Sequence, residues 1–538
     1  MSTSLPWYKT AVFYELYVRA FNDSNGDGWG DLQGVIEKLD YLRDLGVDCI
    51  WLLPIAPSPL RDDGYDVSDY CDIHPMYGKM DDFRRLVKAV HARGLRLLVE
   101  LVPNHTSDQH AWFQASRDPN HPEHETYKDY YVWSETPERY QGARIIFLDT
   151  EKSNWSYDPV RKAYYWHRFF SHQPDLNYDN PAVQRAMLRT IQFWIDEGVD
   201  GIRVDAPPYL FEREGTNCEN LPETHLFLKR LRAFVEAYAP GTMLLSEANQ
   251  WPEDVIHYFG TGYEMHMNFH FPLMPRLYMA LAKANRAPIE AILERTPALP
   301  EVCQWGTFLR CHDELTLEMV TPDERQWMWE TYAPDARMRL NLGIRRRLAP
   351  LMNNDPRKIM LLNSMLFTMG GSPFLYYGDE IGMGDNIWLD DRNGVRTPMQ
   401  WNDGLNGGFS NAAPEKLYAP VIRAAPFEYA TVNVARQEHD PESLLNKTRH
   451  MIATRRQHPV FGAGSFRWAD VGSGAVAAYW REYQESQMLV LNNLSEQTMT
   501  VSIETRPGGY VNVLDQKPFT GHQIRLEPYQ YLWLAPQG

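Results

Sequence analysis

The sequence predicts an α/β protein: a (β/α)₈ TIM barrel with a subdomain inserted after the third strand and a C-terminal antiparallel β-sandwich. Three observations carry this. Short apolar segments alternate with helix-length amphipathic ones along most of the chain, the mark of a parallel sheet with right-handed crossovers. The stretch 103–180 is polar, aromatic-rich and too long for an ordinary connection. From about residue 467 the pattern changes to short alternating strands.

Strands are expected at 12–17, 49–54, 95–102, 201–204, 243–246, 265–271, 305–309 and 374–377. Eight such units imply a closed barrel. Helices are expected at 81–93, ended by Gly94, and at 182–197, ended by Gly198, since glycine readily takes the left-handed conformation that stops a helix. A second irregular stretch, 378–433, follows the last barrel strand, and strands at 475–480, 488–491 and 499–503 open the C-terminal module. The chain thus divides into a barrel at 1–102 and 181–455, an insert at 103–180, and a β-sandwich at 456–538. No internal repeat or low-complexity tract is visible.

Hydrophobic residues make up 44% of the 538 residues and charged ones 23%, a globular composition. Aromatics reach 13%, enough to fill a large core and to supply flat partners for sugar rings. Lys and Arg total 53 against 70 Asp and Glu, a net charge of −17. That balance repels phosphate backbones and argues against nucleic-acid binding, while suiting a neutral substrate or bound cations. Five cysteines (Cys49, Cys71, Cys218, Cys303 and Cys311) are odd in number and form no close metal-ligand pair, so they read as reduced cytoplasmic thiols. Residues 1–10 show no secretory pattern. No run of about 18 apolar residues is present to span a bilayer. The expectation is a cytoplasmic protein with no membrane association.

Barrel enzymes carry their chemistry at the C-terminal ends of the strands. There the sequence places Tyr65 and Asp66 after strand two, Asn104 and His105 after strand three, Asp205 at the end of strand four, Glu247 at the end of strand five, and His312 with Asp313 after strand seven. Singly each reads as readily as a helix cap or a core histidine. Together, several acids and two histidines at one barrel end would repel one another unless a substrate, a cation or a proton needed them. Glycoside cleavage needs two carboxylates in different states. Arg203 precedes Asp205 by two residues on the same strand face, which keeps Asp205 charged as a nucleophile. Glu247 has no adjacent cation in the sequence, as suits a proton donor. Asp313 is expected to hold sugar hydroxyls and favour an oxocarbenium-like ring, and His105 and His312 to donate to hydroxyls or carboxylates. Asp23, Asn25, Asp27 and Asp31 place hard oxygen ligands at alternate positions, like the start of a Ca²⁺ loop, with Mg²⁺ as the alternative. It is not an EF-hand, because the twelfth position is Gly34.

In order and spacing, Asp-Gly-Ile-Arg-Val-Asp (200–205), Ser-Glu-Ala (246–248) and His-Asp (312–313) resemble the α-amylase family, glycoside hydrolase family 13, over nearly the whole chain. Residues 378–385 and 394–401 resemble its α-glucosidase and isomerase branch, and residues 147–155, 164–177, 206–216 and 312–320 are similar to its disaccharide isomerases. The resemblance implies that Asp66 and Arg392 clamp the non-reducing glucose, so that a disaccharide sits in a pocket. It implies an intramolecular transglucosylase interconverting maltose and trehalose by retaining double displacement, with minor hydrolysis to glucose. An α-glucosidase of the oligo-1,6-glucosidase kind or a sucrose isomerase is the alternative. A non-catalytic binding relative is disfavoured by the complete triad. The resemblance further implies that Asn249 and Arg144 close the pocket, and that a second Ca²⁺ is held by Asn104, Asp175 and Glu212 with the carbonyls of Tyr209 and Leu210. Both ions would be structural, and no organic cofactor is implied. A homo-oligomer and a maltokinase partner, used by some relatives, are left open. Cys311 departs from the family, which has Asn before His-Asp, and is expected to retune the stabiliser's hydrogen bonding.

Overall fold

The computed structural model describes residues 5–537. Eight parallel strands close into a barrel: β1 (Phe13–Leu16), β2 (Cys49–Leu52), β3 (Arg96–Leu101), β4 (Gly201–Val204), β5 (Met243–Ser246), β6 (Met267–Phe269), β7 (Gln304–Phe308) and β8 (Ser372–Tyr376). Each pairs with its neighbour in chain order, and β8 returns to β1 with Phe13 opposite Phe374. Those two rings stack at 4.2 Å between centroids. All eight expected strands are present, with edges shifted by a few residues.

The crossover helices follow from their apolar spacing. Met80–Ala92 buries Phe83, Leu86, Val87 and Val90 along one stripe, at about 1.5–3 kcal/mol per fully buried side chain. Pro181–Asp196 starts at Asn180, whose side chain accepts from the Ala182 amide at 2.9 Å. Gly94 and Gly198 follow these two helices with φ of 71° and 95°, left-handed residues whose amides donate to the His91 and Ile195 carbonyls of the last turn.

After β3 the chain builds a small three-stranded antiparallel sheet, Trp133–Ser134, Trp155–Asp158 and Ala163–Trp166, around its own cluster of Val132, Tyr140, Trp155, Trp166 and Cys218. The bridges His105 to Asp175 and Tyr131 to Leu176 fasten it at its root. Beyond β7 a second small sheet, Leu315–Thr316, Arg339–Leu340 and Gly343–Ile344, rises beside the mouth, with the helix Pro322–Tyr332 between its strands. Neither that sheet nor that helix is announced by the sequence pattern. Residues 378–433 carry only short 3₁₀ turns.

The C-terminal module is a six-stranded antiparallel sheet facing the two-stranded pair Met499–Ser502 and Gln523–Leu526 across a separate apolar core. It docks on helix Pro356–Thr368, where Ser364 Oγ donates to Asn492 at 2.8 Å and accepts from Trp533 Nε1 at 2.9 Å. Among the described residues no helix is long and apolar enough to cross a membrane.

Candidate active site

Asp205 follows the last residue of β4, and Ala206 after it takes a left-handed φ of 47°, a strain of about 1–3 kcal/mol of the kind active sites retain. That turn leaves the Asp205 carboxylate in the barrel mouth. The fully buried Arg203 guanidinium donates to Asp205, to Glu100 on β3 and to Glu247 beyond β5. Parallel pairing is the reason: Arg203 lies opposite Glu100 on one side and Leu245 on the other. Glu247 therefore does have a cation beside it, supplied through space from the neighbouring strand.

Burial pushes the Glu247 carboxyl up to about 8 against the opposing pull of Arg203. Burial also raises Asp205, again opposed first by Arg203. The two carboxyls share one guanidinium, so the pair holds one proton more readily than two charges. Glu247 is the better seat for it and Asp205 the charged partner.

On the opposite wall, His312 Nε2 lies 2.7 Å from the Tyr65 hydroxyl and 3.2 Å from Asp313, and its ring stacks on Tyr65. Arg392 and Arg396 each donate to Asp313 at 2.9 Å. Against the raising effect of burial, His312 and these two arginines hold the Asp313 carboxyl well below the usual carboxylate range.

The clamp expected of Asp66 with Arg392 is formed instead by Asp62, at 2.8 Å. Asp66 is fully buried behind the site, accepting from Ser58 Oγ at 2.7 Å and from the amides of Arg61 and Asp62 at 3.0 and 3.2 Å. The turn decides this. Asp63 and Gly64 have φ of 52° and 107°, which sends Asp62 and Tyr65 to the cavity and Asp66 inward. A Cβ on Gly64 would meet Pro54 at 2.9 Å.

Asp62, Tyr65, His105, Asp205, Glu247, Asn249, Asp313 and Arg392 line one cavity at the barrel mouth. Burial pulls the His105 imidazole down to about 3, so it is neutral there, and its Nε2 has no protein partner. The Asn249 amide donates to Thr316 Oγ1 at 3.4 Å. Arg144 does not line the cavity. It spans from the insert to Glu318 and Glu219, both at 2.9 Å, and to the Tyr209 hydroxyl at 3.2 Å, drawing the insert onto the loops after β4 and β7. Cys311 also lines the cavity, with its thiol pushed well above the ordinary value by burial. Sequence reasoning missed Asp62, the rings of Phe147 and Phe169 from the insert, and Glu314 and Glu318 from the loop after β7. For Asp62 the signal was the doubled Asp before Gly64, and for the two phenylalanines the aromatic richness of the insert.

Two loops were expected to hold cations. At the insert's root, Asn104 Oδ1, Asp175 Oδ2 and Glu212 Oε1 are buried without a hydrogen-bond partner, and Asp175 and Glu212 repel one another. Three orphaned oxygen acceptors are a costly arrangement unless a hard cation takes them, so these residues fit Ca²⁺. In the 23–31 loop the acceptors are already engaged: Asp23 takes the amides of Asn25, Gly26 and Gly28, and Asp31 takes Ser24 and Gly34. That loop fits a cation less well. Among the described residues no three His, Cys, Asp or Glu side chains gather as a metal cluster.

An eight-stranded parallel barrel with an acidic, arginine-bridged mouth under an inserted subdomain defines the class of carboxylate barrels that process glycosides. Residues 15–464 match the family described as alpha amylase, catalytic domain, and residues 466–533 the maltogenic amylase C-terminal domain. The chain belongs to the α-amylase family. It is 56% identical over 528 residues to a protein named trehalose synthase/amylase TreS of Mycolicibacterium smegmatis, covering 95% of this chain and 88% of the relative. It is 52% identical to a trehalose synthase of Thermus thermophilus, covering 99% of this chain and 55% of the relative. Among solved structures it is similar to the trehalulose synthase MutB of Pseudomonas mesoacidophila, with a TM-score of 0.81 and 28% identity over 99% of this chain and 100% of the other.

Proposed function

We propose that the chain interconverts maltose and trehalose by retaining, intramolecular glucosyl transfer. The observation that carries this is the closed geometry around Asp205 and Glu247. The two carboxyls are held side by side by one guanidinium, the close arrangement a retaining pair uses. The Asp62–Arg392 pair blocks the far end of the cavity, which suits the end of a short sugar. Arg144 and the insert cover the near side.

In this mechanism Asp205 attacks the anomeric carbon of the maltose glucosyl unit as Glu247 protonates the leaving glucose oxygen. Asp313, held ionised by His312, Arg392 and Arg396, binds the ring hydroxyls and stabilises positive charge at the anomeric centre. The released glucose turns within the cavity. Its anomeric hydroxyl attacks the glucosyl-enzyme while Glu247 takes the proton back. Water competes for the same intermediate, so exclusion of water separates isomerisation from hydrolysis. The names of the relatives at 52 and 56% identity support this substrate pair. Hydrolysis is the second reading, favoured by 30% identity over 549 residues to an oligo-1,6-glucosidase of Parageobacillus thermoglucosidasius.

Ca²⁺ would be held by Asn104, Asp175 and Glu212, with the Tyr209 and Leu210 carbonyls, and would supply charge balance at the root of the insert rather than reaction chemistry. Incubation of the protein with maltose, with the sugars separated, tests the function. Trehalose is expected as the main product, and glucose as the main product would sink the isomerase reading. Asp205→Asn is expected to cost about 10⁴-fold or more in kcat with the fold intact.

A further inference from the structure

Glu15, on β1, is 1% exposed, and no step of the double displacement uses it. A carboxylate so far from water needs partners. One of its oxygens takes both available donors of His312: the backbone N–H at 3.1 Å and the ring Nδ1 at 2.5 Å. The other ring nitrogen faces the Tyr65 hydroxyl at 2.7 Å and a second carboxylate, Asp313, at 3.2 Å. An ionised carboxylate accepts only, and a neutral imidazole has a single N–H. A doubly protonated ring gives each of the two carboxylates an N–H, and the Tyr65 hydroxyl, which accepts as well as donates, fits beside it. We propose that Glu15 is a positioning residue that holds His312 as an imidazolium, so that Nε2 always offers a proton toward Asp313 and the sugar hydroxyl Asp313 binds; this rests on Asp313 acting as the stabiliser.

The groups around the ring agree. Tyr65 stacks on it from the loop after β2, and Trp51 meets it edge-on from β2 at 5.9 Å. Arg396 Nε donates to the His312 carbonyl at 2.8 Å. Glu100 and Glu247 reach the ring only at longer range, Glu247 as the protonated member of its pair, and the neighbouring Cys311 thiol stays protonated. Burial alone would strip the ring of its charge, but Asp313 and Glu15 outweigh it and raise the imidazole to about 9.

A purely structural Glu15 would act as a hydrogen-bond acceptor, which glutamine replaces. The test is the titration of His312 itself, read by NMR on carbon-13-labelled histidine in substrate-free protein and assigned by its loss in His312→Gln. In the native protein the ring is expected to titrate near 9. Glu15→Gln is expected to lower that by about one to three pH units and, once the ring titrates below the Glu247 value of about 8, to draw the alkaline limb of kcat/KM for maltose down with it, while Glu15→Asp restores part of both. A native ring that is already neutral at pH 7 overturns the proposal even if Glu15→Gln does not fold. So does a Glu15→Gln protein that loses kcat with the titration and the alkaline limb unmoved. The titration needs no substrate, so it is independent of whether maltose is the sugar turned over.

Discussion

Arg392 and Asp62 form an ion pair at 2.8 Å with both side chains 7% exposed, and this pair, together with Asp313, makes the closed end of the cavity. Breaking one partner of such a buried pair costs about 3–5 kcal/mol. Asp62→Ala is expected to raise KM for maltose and to lower kcat/KM by about two to three orders of magnitude. Asp66→Asn, out of the cavity, is expected to lower Tm through its weakened contacts to Ser58 and the 61–62 amides, with KM little changed. Steady-state kinetics and thermal melts on the two variants check this, and the reverse pattern would return Asp66 to the site.

The pH dependence follows from Glu247. Its proton is needed for departure of the leaving sugar, so kcat/KM is expected to fall as pH rises through about 8. Stability has the same sign. A carboxyl whose folded value is raised above the unfolded one holds its proton more tightly when folded. Its contribution is complete below the ordinary Glu range and is lost as pH climbs to about 8. Glu247→Gln, which has no proton to lose, is expected to flatten this part of a Tm-against-pH curve. An unchanged slope would place the titrating group elsewhere.

Arg144 joins the insert to Glu219 and Glu318. Arg144→Ala is expected to loosen that cover and admit water to the glucosyl-enzyme, raising the ratio of glucose to trehalose severalfold while total maltose consumption falls less. Product analysis over a time course reads the ratio directly, and a constant ratio would remove Arg144 from the water barrier.

Chelation addresses the cation. With one oxygen each of Asn104, Asp175 and Glu212 buried without a partner, EDTA is expected to lower Tm and Ca²⁺ to restore it, by about 2.7 kcal/mol of stability at a hundredfold excess over Kd. Asn104→Ala is expected to abolish the response to added Ca²⁺. A response that survives in Asn104→Ala would move the ion to another site, the 23–31 loop being the first to examine.

The barrel was legible because its signals are local. Short apolar runs, buried on both faces as barrel strands are, and stripes such as Phe83, Leu86 and Val90 report what is buried wherever the chain later goes. Asp205 and Glu247 were legible for a related reason: a residue just past a barrel strand must reach the mouth. The hairpin at 339–344 and helix Pro322–Tyr332 were not, since short strands and a helix with one buried side chain, Met328, leave little periodic trace.

The sequence by itself determined the eight strands, the insert, the C-terminal module and the strand ends where acids gather. Only the tertiary structure decided which acid meets which cation. Arg203 reaches Glu247 because β4 and β5 pair side by side. Asp62 rather than Asp66 meets Arg392 because two left-handed residues rotate the turn between them. Glu15 meets His312 across the barrel, from positions nearly 300 residues apart in the chain. Strand propensity is written in neighbouring residues, whereas charge pairing depends on through-space distance, and closure of the barrel sets that distance.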